Sequence, residues 1–294
     1  MSGSSIPMAI TDFAEMKQRG ERIVMVTAYD HPSARLADAA GVDMVFTGDS
    51  AANNVLGYPD TTPISMDEMV MLARAARRGT QRAFFLVDLP LGAFQVSDED
   101  AVRNAMRLVK EAGAQAVKLE GAGPMVARAR AIVAAGVPVM GHLGLTPQTA
   151  TALGGYKAQG RTAAKARQLY ADALALQAAG CFALVLEAVP ARVAGAITAA
   201  LRIPTIGIGA GPDCDGQVLV WHDLLGINEH QMPRFVKQYA HVAAEVRAGL
   251  EQFVAEVRSG AFPTDEHAYK ISAEELRLFE SEIAPGVLAG DDWL

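Results

Sequence analysis

The chain has 294 residues, a length that suits one α/β barrel or two smaller domains, and 51% of them are hydrophobic while only 6% are aromatic. Its 26 basic and 33 acidic residues leave a net charge of −7, which excludes the basic footprint of nucleic-acid binders and of proteins drawn to anionic membranes. Cys181 and Cys214 form neither a disulfide framework nor a zinc motif, no apolar run reaches the roughly 20 residues of a bilayer span, and the first residues lack a basic-then-apolar leader, so a cytoplasmic protein acting on small molecules is expected.

Short β-branched runs alternate along the chain with longer Ala-rich stretches of helical period, the pattern of successive βα units. In chain order, strands are predicted at 23–28, 43–47, 83–88, 116–120, 137–141, 183–187, 205–208 and 217–221. Ala39-Ala40-Gly41, Glu111-Ala112-Gly113, Ala134-Ala135-Gly136 and Ala178-Ala179-Gly180 each stand before a strand. A glycine there accepts the left-handed conformation that stops a helix and turns the chain into the next strand. Eight such units with no Pro/Ser/Gly-rich linker between them predict a single (β/α)8 TIM barrel over 1–270. An acidic C-terminal extension over 271–294 follows, in which 272–283 has the period of an amphipathic helix and 284–294 reads as a tail.

In such a barrel the active site lies at the C-terminal ends of the strands, so polar residues that end apolar strands are the candidates. The second strand runs into Gly48-Asp49-Ser50, the third ends at Asp88, the fourth at Lys118 and Glu120, the fifth at His142 and the sixth at Glu187. Any one of these carboxylates alone could be a solvated loop residue or a helix cap. Four of them around one mouth would repel one another unless a cation compensated them, and an all-oxygen ligand set suits Mg2+ or another hard divalent ion. Asp49, Asp88 and Glu120 are therefore the candidate metal ligands.

Lys118 and Glu120, two residues apart, point to the same side of a strand. Lys118 there neutralises a substrate carboxylate or a developing oxyanion, or makes a simple ion pair with Glu120. His142 lies between glycines at a strand end, where it faces the cavity or serves as a packed hydrogen-bonding residue. Glu187 stands in the apolar phrase Val185-Leu186-Glu187-Ala188-Val189, a setting suited to a general acid or base, with a capping role as the alternative. Gly207-Ile208-Gly209-Ala210-Gly211 is followed by Pro212 and a short strand, so it reads as a tight barrel loop, with a phosphate cradle as the weaker reading.

Seven phrases, in this order, resemble one family: Thr27-Ala28-Tyr29-Asp30, Gly48-Asp49-Ser50, Asp88-Leu89-Pro90, Val117-Lys118-Leu119-Glu120-Gly121, the run from Gly141-His142 to Pro147-Gln148, Gly154-Gly155-Tyr156-Lys157 with Gln159-Gly160-Arg161, and Ile206 to Gly211 with Asp215-Gly216-Gln217. That family is ketopantoate hydroxymethyltransferase, and the resemblance extends from about residue 10 to about residue 267. It implies a TIM barrel of the phosphoenolpyruvate/2-oxo acid type and transfer of a hydroxymethyl group from 5,10-methylenetetrahydrofolate to 3-methyl-2-oxobutanoate, giving 2-dehydropantoate in pantothenate biosynthesis. It further implies Mg2+ held by Asp49, Asp88 and Glu120, a 2-oxo acid contacted by Asp49, Ser50, Asp88 and Lys118, Glu187 as proton acceptor, and a homo-oligomer, decameric in bacterial members. His142 is expected to help orient the substrate.

After Gly48-Asp49-Ser50 the family usually continues Leu-Gly-Met, whereas this chain has Ala51-Ala52-Asn53-Asn54, which changes the shape and polarity of a loop near the substrate. Leu91 stands where the family usually has an aromatic residue. The competing enzyme reading is a carbon-carbon lyase of the phosphoenolpyruvate mutase/isocitrate lyase superfamily, whose lyases commonly carry a Lys-Lys-Cys-Gly-His loop that is not found here. A non-catalytic metabolite-binding barrel is the third, and the complete set of acidic residues argues against it. No short motif marks a folate site.

Overall fold

Alternation of residues along eight short strands builds the molecule from the inside out in the computed structural model, which describes residues 6–229 and 232–283. The strands are β1 (Ile23–Thr27), β2 (Met44–Thr47), β3 (Phe84–Asp88), β4 (Ala116–Glu120), β5 (Val139–Gly144), β6 (Ala183–Glu187), β7 (Thr205–Ile208) and β8 (Gly216–Leu219). They pair in parallel in sequence order, and β8 closes the barrel on β1 through Ile23 opposite Gly216 and Met25 opposite Val218. The helices are α1 (Ile10–Arg19), α2 (His31–Ala39), α3 (Ala51–Asn54), α4 (Met66–Gly79), α5 (Asp98–Ala112), α6 (Pro124–Ala134), α7 (Ala163–Ala178), α8 (Ala191–Ala200), α9 (Trp221–Leu224), α10 (Val242–Ser259) and α11 (Ala273–Glu282). The fold is the (β/α)8 barrel expected from the sequence. No helix among the described residues is long and apolar enough to cross a membrane.

Strands β2 to β7 are buried on both faces, which is why they read as nearly continuous apolar runs, whereas Val24 of β1 and Gln217 of β8 are exposed. One parity, with Val45, Phe85, Val87, Val117, Leu119, Leu184 and Leu186, packs outward against the helices. The other, with Met25, Met44, Phe84, Leu86, Ala116, Met140, Ala183 and Val185, fills the lumen. α1 supplies Phe13 beneath this layer, edge-on to Phe84 at 5.4 Å and 6.4 Å from Phe182, and so seals the N-terminal end of the barrel. Full burial of such a ring contributes about 1.5–3 kcal/mol.

The predicted helix stops are present: Gly41, Gly113, Gly136 and Gly180 all have φ between 72° and 97°. β1, β2 and β3 are each one residue shorter than expected, and β5 and β8 are shifted at both ends. β5 runs on to Gly144 because His142, Leu143 and Gly144 pair with Val185, Leu186 and Glu187. β8 ends at Leu219, and Trp221 opens α9 with its backbone N–H donated to the Thr27 hydroxyl at 2.9 Å.

The chain divides into two compact units, Met1–His241, which holds the barrel, and Val242–Leu294, which holds α10 and α11. The amphipathic helix expected at 272–283 forms as α11, with the Ser272 hydroxyl accepting from the Glu275 N–H. The expected tail, 284–294, lies outside the described residues.

Candidate active site

The lumen parity changes character as each strand rises. On β3 it reads Phe84, Leu86, Asp88; on β4 Ala116, Lys118, Glu120; on β5 Met140, His142; on β6 Ala183, Val185, Glu187. Apolar residues thus form a floor and ionisable ones stand on it at the C-terminal end. Asp49 and Ser50, from the turn that follows β2, complete the ring. All seven residues singled out from the sequence line one cavity of about 450 Å³.

Lys118 Nζ lies 2.7 Å from Asp88 Oδ1, with only 4% and 1% of the two side chains exposed. Its distance to Glu120 Oε1 is 3.9 Å, so of the two pairings Asp88 is the closer partner. The ammonium also sits 5.2 Å from the centre of the Phe46 ring. Asp88 Oδ2 accepts the backbone N–H of Asp49 at 3.1 Å, which ties the Asp88 carboxylate to the turn that carries Asp49. Burial, followed by the negative charges of Asp88 and Glu120, raises the Asp49 pKa well above the usual carboxylate range. Burial also raises that of Asp88, against the opposing pull of Lys118. Glu120 goes the other way: burial opposes its charge, but the His142 charge and hydrogen bond, with help from Lys118 and the Gln148 N–H, keep its pKa low.

His142 connects two carboxylates. Its Nδ1 is 3.1 Å from Glu120 Oε1 and its Nε2 is 3.2 Å from Glu187 Oε2. Burial and Lys118 oppose protonation, yet the charge and hydrogen bond of Glu120, with Glu187 beyond, push the imidazole up to about 9. At neutral pH it is therefore an imidazolium whose Nδ1–H is directed at Glu120, while its Nε2 approaches Glu187 as a charge contact without a hydrogen bond. A folded-state pKa above the unfolded value of about 6.5 gives stability that is complete below that value and lost as pH rises through 9. Urea unfolding of the metal-free protein is expected to lose on the order of 2–3 kcal/mol across that window, and His142→Gln to flatten the profile. An equally steep profile in the variant would remove His142 as its source.

Gly144 is required beside this group. A Cβ there would lie 2.1 Å from the Glu187 carbonyl oxygen, and its φ of +97° is itself one that glycine favours. The glycines in and just after β7 serve packing too: side chains at Gly207 and Gly211 would meet Cys214 Sγ at 3.0 Å and Ala191 Cβ at 2.4 Å.

The family model for ketopantoate hydroxymethyltransferase matches residues 7–265. The chain belongs to the ketopantoate hydroxymethyltransferase family. It is 59% identical over 255 residues to 3-methyl-2-oxobutanoate hydroxymethyltransferase of Moorella thermoacetica, covering 87% of this chain and 95% of the relative. The protein of that name from Heliobacterium modesticaldum is 51% identical over 265 residues, 90% of this chain and 96% of the other. Among solved structures, a phosphonopyruvate hydrolase complexed with oxalate and Mg2+ superposes with a TM-score of 0.58 at 15% identity, covering 94% of this chain and 99% of that one. A 2,3-dimethylmalate lyase gives 0.57 at 16% identity over 97% and 100%. Those two likenesses are of fold; the sequence relatives make the chain a hydroxymethyltransferase and set the lyase reading aside.

Sequence reasoning on this hydroxymethyltransferase missed Gln148 as a member of the site. Its side-chain amide donates to Asp49 Oδ2 and to the Leu89 carbonyl, both at 2.9 Å, while its backbone N–H donates to Glu120 Oε2 at 3.1 Å. One buried residue thus holds two of the acidic groups with neutral donors. Tyr29 was also passed over: its hydroxyl is 2.8 Å from Ser50 Oγ.

Proposed function

We propose that this enzyme transfers a hydroxymethyl group from 5,10-methylenetetrahydrofolate to 3-methyl-2-oxobutanoate, with uptake of water, giving 2-dehydropantoate and tetrahydrofolate, and that Mg2+ assists. The observation that carries this reading is the convergence of Asp49, Asp88, Glu120, Lys118 and Glu187 on one cavity in a chain of this family.

The donors suit a hard ion. They are carboxylates, Asp49 is pushed toward protonation by burial and then by its acidic neighbours, and buried Asp88 Oδ1 accepts no hydrogen bond although Lys118 approaches it. Among the described residues no three His, Cys, Asp or Glu form a ready-made metal cage. Mg2+ suits such a site because it commonly keeps waters and takes one or two carboxylates plus substrate oxygens. Asp49, Asp88 and Glu120 would hold it, and when bound it would polarise the 2-oxo group and acidify the neighbouring carbon.

The remaining steps belong to the chain. Lys118, held over the floor by Asp88, faces the oxyanion that develops when the C3 proton leaves, and Ser50, oriented by Tyr29, meets the substrate's carboxyl end. Glu187 takes the proton, with His142 fixing its carboxylate from the other side. The carbanionic carbon then bonds to the one-carbon unit as that unit's bonds to the two folate nitrogens break, water supplying the hydroxyl oxygen and the nitrogens taking up protons to give tetrahydrofolate. Cytoplasmic location and homo-oligomeric, decameric assembly are part of this reading.

Proton NMR of 3-methyl-2-oxobutanoate in deuterated water is the test. Loss of the C3 proton that depends on Mg2+, followed by 2-dehydropantoate once methylenetetrahydrofolate is added, is expected; neither exchange nor product would overturn the reading. Asp88→Asn is expected to weaken Mg2+ binding and slow exchange together, and normal affinity and rate in that variant would remove Asp88 from the site.

A further inference from the structure

A small five-carbon acid seated among Asp49, Lys118 and Glu187 occupies only the floor of the cavity. Above it the wall is made by segments beyond the strand ends: Asn53 and Asn54 on α3, Pro59, Tyr156, Asp223 on α9, and Phe235. This upper wall differs in chemistry from the floor, having two aromatic rings, amides and a single carboxylate. Resting on the function proposed above, we propose that it is the subsite for the pterin ring of the one-carbon donor, with the Asp223 carboxylate receiving the donors of that ring.

The complementarity starts from the ring. The 2-amino group and N3–H of a 4-oxopterin are adjacent donors on one edge, and that edge is remote from the bridge that carries the one-carbon unit. A carboxylate accepts such a pair with both oxygens, and an amide N–H beside it answers the 4-oxo group. A ring presenting this edge to Asp223 at the mouth directs its one-carbon bridge away from Asp223, toward the floor.

Asp223 is built to stay in place. Its Oδ1 accepts from Asn228 Nδ2 at 2.7 Å, and the same Nδ2 donates to Asn54 Oδ1 at 2.6 Å. Asn54 Nδ2 in turn donates to the Ser50 carbonyl at 2.7 Å. The Asn54 amide therefore ties α9 to the turn carrying Asp49 and Ser50. The other oxygen of Asp223 accepts no hydrogen bond among the described residues, and the Asn53 side chain makes none, although both line the cavity. Those are unused groups facing an opening.

The rings supply the faces. Phe235 is 38% exposed and Tyr156 63% exposed at the cavity mouth, where apolar surface is available for stacking. Phe235 packs against Gly209, where a Cβ would stand 2.7 Å from its ring. The glycine after β7 thus makes room for an aromatic wall, a role for that loop distinct from cradling phosphate.

Isothermal titration of the full-length, Mg2+-supplemented enzyme with (6S)-tetrahydrofolate tests the subsite. Asp223→Asn is expected to weaken binding roughly 10- to 100-fold, the worth of hydrogen bonds to a charged group, and Asn53→Ala and Phe235→Ala to weaken it less. On the unaltered protein, a tetrahydrofolate analogue lacking the 2-amino group is expected to bind correspondingly worse, while Asp223→Asn should hardly distinguish the two ligands. Equal affinity of the unaltered enzyme for both ligands, or of a folded Asp223→Asn variant for tetrahydrofolate, would overturn the subsite alone. An unaltered enzyme that neither exchanges the C3 proton of the 2-oxo acid nor binds tetrahydrofolate would overturn the function on which it rests.

Discussion

Replacing Glu187 with glutamine is expected to slow exchange of the C3 proton of 3-methyl-2-oxobutanoate by roughly 10²- to 10⁴-fold, the usual contribution of a positioned general base. The amide has nearly the same shape, so packing beneath Gly144 and the approach to His142 are kept, but it has no basic oxygen for the proton. Mg2+ and 2-oxo acid affinity should change little, because the groups assigned to them stand on other strands. The slowing should therefore appear in the rate at saturating substrate. Unchanged exchange would dismiss Glu187 as the base and leave it a partner of His142.

Lys118→Met is expected to have the largest effect on stability. The ammonium is buried between Asp88 at 2.7 Å and Glu120 at 3.9 Å, with the Asp49 carboxylate also drawing on its charge. Removing one partner of a buried ion pair and leaving the other charged costs about 3–5 kcal/mol. Without Lys118 the pKa values of Asp49 and Asp88, already raised in the folded protein, rise further. A carboxylate whose folded pKa lies above its unfolded one contributes stability at low pH and loses it as pH rises through the folded value. The gap between variant and unaltered protein should thus be narrow in acid and widen toward neutrality, and Mg2+ should close part of it by supplying the missing charge. Urea unfolding at several pH values checks this; a gap independent of pH would mean that the loss is one of packing over Phe46.

The barrel was legible because its signals are local. A helix stop such as Ala134-Ala135-Gly136 and a strand such as Ala116 to Glu120 are each readable within a few residues, and closure follows from repeating the unit. The floor of the site was legible for the related reason that two-residue alternation aims Lys118 and Glu120 together. Gln148 escaped that logic because it stands in a 3-10 turn, Pro147–Thr149, where side-chain direction is set by tertiary contacts with Asp49 and Leu89. Asp223 was hidden by a strand drawn two residues too far, through Trp221, which made α9 invisible. Asn53-Asn54 was noticed as a departure, but the partner that gives Asn54 its purpose, Asn228, is 174 positions away. The division after His241 falls in Gln238-Tyr239-Ala240-His241-Val242-Ala243, a run without the Pro, Gly or Ser content that marks a linker.

The aromatic plug made by Phe13, Phe84 and Phe182 bears on the order of events. A vessel closed at the bottom has a single doorway, and guests that share it must queue. On the function and subsite proposed above, the 2-oxo acid is expected to bind on the floor before the folate, and the product to leave after tetrahydrofolate.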